Sequence, residues 1–92
     1  MSELFNQSRC IEIINKKVVM NDILDESNVN EYLLGEKIGM EPWELLLLLY
    51  SIEKEYNVTI SEEDINTIGM RRVSDIVLLV NKTLQNENSN FR

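Results

Sequence analysis

The stretch "GMEPWELLLLLYSIEKEY", residues 39–56, constrains the fold of this chain more than any other segment. Proline in a helix interior removes a hydrogen bond and clashes with the preceding turn, at about 3 kcal/mol. At the first helical position, however, its missing N–H has no intrahelical partner to lose. Pro42 is followed by a run without Gly or Pro as far as Tyr56, with Glu41 and Glu44 placed to complement the positive end of the helix dipole. The pattern predicts a helix that starts at Pro42, runs to about Tyr56 and turns at Asn57.

At about 100° per residue, with Leu45 as origin, Ile52, Tyr56, Leu49 and Leu48 fall within roughly 60° of it and form a core face. Glu44, Ser51 and Glu55 cluster near about 260° as a polar wedge. Leu46, Tyr50, Trp43 and Leu47 occupy roughly 100° to 200°, across from the core, with Lys54 as the one charge among them. One helix therefore carries two apolar stripes. Either the outer stripe is an interface, or the preceding loop or the first helix folds over it and all of it is core. Leu46 is assigned to the core on the second ground.

Upstream, Leu4, Ile11, Ile14 and Val18 share one helical face, and the β-branched residues around them would suit a strand equally well. A helix over residues 4–20 is expected, because nothing else in the chain offers a strand partner. Residues 21–40 are rich in Asn, Asp, Glu and Gly and read as a long ordered loop. A helical turn is expected near Val29 to Leu34, and Leu33, Leu34 and Ile38 should pin the loop to the core. Ser61, three residues before Asp64, resembles a capping box and opens a short helix from Glu62 to about Thr67, with Ile65 and Ile68 turned inward. Val73, Ile76, Val77, Val80 and Leu84 keep helical spacing for a last helix over 73–84. Residues 85–92, "QNENSNFR", are polar, without period, and read as a flexible tail. The expectation is an all-α single domain over residues 1–84, a four-helix bundle of three longer helices and one short one with a long first loop.

Composition excludes several functions. With 9 basic against 16 acidic residues and a net charge of −7, the chain lacks the basic stripe that nucleic-acid binding requires. Histidine is absent, which removes the commonest general base and every His-based metal or triad arrangement, so no enzyme is expected. Cys10 is the single cysteine, expected to be a buried or idle thiol in a reducing cytoplasm and not a reactive one. No apolar run is long enough to span a bilayer, and no signal-peptide core precedes Arg9. Glu62, Glu63 and Asp64 are consecutive and read as a helix N-terminus, not as a spaced cation loop. The Asn-, Ile-, Lys- and Glu-heavy usage is compatible with a bacterial source of low GC content.

From Leu34 onward the residues resemble acyl and peptidyl carrier proteins. "LGEKIGMEPWELL" is similar to the carrier stretch that leads from Leu-Gly to Asp-Ser-Leu, "IEKEYNVTISEEDI" to the segment joining the second and third helices, and "RRVSDIV" to the start of the last helix. The likeness covers about half of the chain. The segment between Ile60 and Val73 is a couple of residues longer than in those proteins. A larger departure is that Glu41, Pro42 and Trp43 stand where Asp, Ser and Leu would be.

The resemblance implies that Pro42 occupies the position of the serine that carries 4'-phosphopantetheine. Proline has no hydroxyl to form that phosphodiester, so no cofactor is expected there. In carriers the start of this helix and its outward face are what partner enzymes recognise, which implicates Met40, Glu41, Trp43, Glu44, Leu47 and Tyr50 as partner-binding residues. The implied role is a non-catalytic interaction module in a biosynthetic or peptide-maturation system, including bacteriocin-like ones. It would dock biosynthetic or peptide-modifying enzymes, or a second copy of itself. The alternative is a working carrier modified at another serine, Ser51 or Ser61.

Overall fold

The computed structural model describes residues 5–90, with side chains described through residue 86. Among them there is no strand: the order is α1 (Gln7–Ile13), a π-helical turn (Ile14–Val18), α2 (Pro42–Tyr56), α3 (Glu62–Ile68) and α4 (Val73–Asn90). The expected all-helical class with a long first connection is what is found. Leu4, the first residue of the expected helical face, lies outside the described residues.

Helix α1 begins at an Asn6 cap, whose side-chain oxygen accepts from the Arg9 N–H at 2.8 Å. The helix widens over Ile14–Val18, where the Val19 N–H reaches the Ile14 carbonyl at 2.9 Å, and ends at Met20 with φ 61°. Cys10, Ile13, Ile14 and Val18 are buried along it. Phe5, just before α1, is buried too. Its backbone N–H and C=O both pair with the side-chain amide of Asn81 in α4, at 2.9 and 2.8 Å, and its ring meets Tyr56 of α2 edge-on at 5.7 Å.

The α1–π segment is the hub. It packs on α2 on one side and on α4 on the other, while α3 packs on α4. Glu55 of α2 ties this arrangement at the surface, pairing with both Arg9 and Lys17. The polar wedge expected on α2 thus includes a carboxylate held by the neighbouring helix.

The connection between Val19 and Glu41 is ordered by side-chain amides. Asn15 accepts from the N–H groups of Ile23 and Leu24, each at 3.1 Å, and donates to the Leu24 carbonyl at 2.9 Å. Asn28 accepts from Asp25 N–H and donates to the Ile23 carbonyl, both at 2.9 Å. These bonds satisfy backbone groups that a buried loop would otherwise leave unpaired. Leu24, Val29, Leu33, Ile38 and Met40 can therefore enter the core. Leu33 and Ile38 pin the loop as expected. Leu34 does not: it is 50% exposed, because the Leu33 backbone is held by the Arg71 carbonyl (N–H to O, 2.8 Å) and by the Met40 N–H, which turns the next side chain outward.

Helix α3 starts at Ser61, whose Oγ accepts from the Asp64 N–H at 3.1 Å, and it lays Ile65 and Ile68 half-buried against the core. In α4 the buried set is Val73, Ile76, Leu79, Val80 and Thr83, with Val77 and Leu84 half-buried; Leu79 and Thr83 widen the expected face. The helix continues through Asn90, so residues 85–90, read as a tail, have helical backbone. Elongating an existing helix gains one hydrogen bond for each residue fixed and needs no apolar period. Among the described residues no helix is long and apolar enough to cross a membrane.

Candidate functional site

Helix α2 begins where the sequence places it. Pro42 is the first helical residue, Glu41 precedes it in extended conformation, and the Glu41 N–H donates to Glu44 Oε1 at 2.8 Å, the reach-back arm of a capping box. The carboxylate of Glu44 is thereby engaged in holding the helix start. At the other end Asn57 takes the left-handed conformation, φ 56°, and Glu53 Oε2 accepts from the Ile60 N–H at 2.8 Å to set the link to α3.

The inward face is the expected one: Leu48, Leu49 and Ile52 are buried, and Leu45 and Tyr56 are half-buried. Among the described residues no helix lies over the outward face. Trp43 is 59% exposed, Leu46 68% and Tyr50 59%. Their spacings of three, four and seven residues put them on one face. Lys54 continues the line, its Nζ lying 5.7 Å from the centroid of the Tyr50 ring. Beside the stripe runs an open groove lined by Lys17, Leu47, Tyr50, Ser51, Lys54 and Glu55.

Of the six residues implicated by sequence, Glu41, Trp43 and Tyr50 are exposed and Glu44 and Leu47 are half-buried. Met40 is withdrawn from the surface: it is 4% exposed, because its N–H donates to the Leu33 carbonyl at 2.9 Å and its side chain joins the core with the loop. Leu46 moves the opposite way, from the expected core to the surface. Its wheel position already lay in the outer stripe. Placing it in the core requires the loop or α1 to cover that stripe, and neither does. Taking roughly 200 Å² for each large side chain, Trp43, Leu46 and Tyr50 together expose on the order of 350 Å². That matches the largest apolar patch of a typical monomer, which is often functional, and it is about half of what one partner contributes to a standard interface. The stripe has the size of an interface centre.

Conventional chemistry is not assembled anywhere else among the described residues. Cys10 is fully buried, and burial pushes its thiol up to about 12, which leaves it protonated and unreactive. No three His, Cys, Asp or Glu side chains come together in a way that could hold a metal ion among the described residues. Within the acidic triplet, Asp64 is taken up by Lys82 of α4 at 2.9 Å, which holds the carboxyl below its ordinary value and the ammonium above its own. Ser61 is committed to capping α3, whereas Ser51 is half-buried at the edge of the groove.

No family model, no curated protein and no solved structure matches this chain.

Proposed function

We propose that this protein is a non-catalytic interaction module, related to acyl carriers but without a serine to load at the tip of α2, and that it docks a partner protein on the outward face of that helix. One observation carries the reading: Trp43, Leu46 and Tyr50 stand exposed in one line on a helix whose opposite side is packed on the core through Leu48, Leu49 and Ile52. Trp and Tyr are the side chains most enriched at binding hot spots, and a tight row of them on a small domain costs solubility unless something covers it. Pro42 keeps the helix start that a carrier would have and removes the hydroxyl that would bear the arm. A different protein fits the face better than a second copy, because each copy brings a net charge of −7 that self-association must bring together. Enzymes of a biosynthetic or peptide-maturation system are the partner class that the carrier resemblance supports.

A second reading, a carrier loaded at another serine, has one observation in its favour: Ser51 lines the same groove as Lys54, a cation that suits a phosphodiester. Incubation with a phosphopantetheinyl transferase and coenzyme A, followed by intact mass, separates the two. The interaction reading expects no added mass on the natural chain, and one phosphopantetheine arm on it would overturn that reading. Docking is tested by binding to the products of neighbouring genes. Trp43→Ala with Leu46→Ser should weaken such a complex by about a hundredfold or more, the effect of losing hot-spot side chains. Undiminished binding by that variant would remove the α2 face from the account.

A further inference from the structure

A second surface, built without any residue of α2, stands apart from that reading. Tyr32 and Leu34 of the long connection meet Met70 and Arg71, just before α4, around an almost wholly apolar notch of about 190 Å³. Ligand pockets span about 300–1,000 Å³, so this notch is too small for a cofactor or nucleotide and has room for one large side chain. Tyr32 and Leu34 are half exposed at its rim.

Arg71 places a positive charge at the notch of a chain whose net charge is −7. Arg9, Lys16, Lys17, Lys37 and Lys82 each have a carboxylate within ion-pair distance, and Lys54 lies over Tyr50. Arg71 and Arg72 have no carboxylate partner among the described residues. Asp75, close by in the chain, is engaged with the backbone: its Oδ2 accepts from the N–H groups of Arg71 and Arg72 at 3.0 and 3.2 Å. The Arg72 side chain is held in place, with its Nε donating to the Asn30 carbonyl at 3.0 Å and its guanidinium 4.2 Å from the centroid of the Tyr32 ring. Arg71 lines the notch itself. An apolar side chain with a carboxylate close to it is what an apolar notch edged by Arg71 complements.

We propose that the notch captures a peptide C terminus, with the last residue's large apolar side chain seated among Tyr32, Leu34 and Met70 and its α-carboxylate on the Arg71 guanidinium. The α-carboxylate and the side chain of a terminal residue spring from the same carbon, so both reach a site this small. Guanidinium groups take a carboxylate through paired N–H donors, which gives direction as well as charge. A free amino acid has the same two groups but adds an ammonium beside the Arg71 guanidinium, and is disfavoured for that reason.

The test is titration of the isotope-labelled full chain, followed by backbone amide shifts, with three probes: N-acetyl-Gly-Gly-Phe as the free acid, the same peptide as its C-terminal amide, and free phenylalanine. The acid should shift the amides of Leu33, Leu34 and Met70 to Arg72 with an affinity of about 1 mM. The amide should bind about tenfold more weakly, as expected for loss of a charged hydrogen bond, and free phenylalanine more weakly than the acid. Arg71→Gln should bring the acid down to the level of the amide and leave the amide unchanged, and Leu34→Asp should abolish binding of both; both residues are exposed, so the fold is expected to persist. Equal binding of acid and amide, shifts confined to α2, or no shift at about 10 mM would overturn the proposal. Tighter binding of free phenylalanine than of the peptide would overturn the peptide as occupant.

Discussion

The connection between Val19 and Glu41 and the helix that follows it exchange the roles their compositions suggest. The connection is polar and punctuated by Gly35 and Gly39, yet it supplies Leu24, Val29, Leu33, Ile38 and Met40 to the core. Helix α2 has the most apolar run in the chain, yet it leaves Trp43, Leu46 and Tyr50 in solvent. Apolar content sets how much surface a segment could bury, whereas neighbours set how much it does bury. The loop is surrounded because Asn15 and Asn28 satisfy its backbone and let it fold inward. Among the described helices α2 is flanked only by the α1–π segment, so no second helix covers its far side.

The contrast is broken most directly by truncation. Leu33→Ala in the loop should destabilise the protein as strongly as Ile52→Ala in α2, each by about 2–5 kcal/mol in urea unfolding, because both side chains are fully buried. A loop that merely lay on the surface would give a far smaller value for Leu33. Next in size, Asn15→Ala should cost about 1–3 kcal/mol by stranding the Ile23 and Leu24 backbone groups. The accompanying amide exchange should speed up over residues 21–28 and remain unchanged in α4.

Acid should act more gently. Glu12, Asp25 and Asp64 lie below their ordinary values through hydrogen bonds from Arg9, Ser27 and Lys82. Each folded pKa is below its unfolded one, so the stability they contribute is complete above the ordinary carboxylate range and is lost as pH falls through the folded values. Lys82, raised by Asp64, contributes below its ordinary value and loses that contribution as pH rises through its folded one. Lys82→Met should therefore flatten the acid limb of a stability–pH curve by lowering the neutral plateau slightly while leaving the acid end where it was. Smallest of all, Leu46→Ser and Tyr50→Ser should change stability by no more than about 0.5 kcal/mol, as surface substitutions do, while raising solubility.

Much of the α2 account is legible in the sequence. Pro42 fixes the start, Asn57 the end, and the wheel separates Leu48, Leu49 and Ile52 from Trp43 and Tyr50. What the sequence does not contain is which stripe acquires a cover, so Leu46 reads as core and Met40 as surface, each the reverse of what is found. The Asn81 clasp on Phe5 lies equally beyond sequence reading, since it joins residues 76 positions apart through one side-chain amide. Arg71 and Arg72 are visible as a basic pair, but their lack of acidic partners depends on Asp75 turning its carboxylate to the backbone. Helix continuation past Leu84 carries no apolar signal at all.

Trp43 is the only tryptophan in the chain, so its fluorescence reports on the outward face of α2 alone. In the isolated monomer, emission close to that of a solvated indole, quenched readily by acrylamide and independent of protein concentration, is the result expected for a face left open for a partner. A blue-shifted emission resistant to quencher in a dilute monomer would contradict it, by showing that the indole is already covered within the chain.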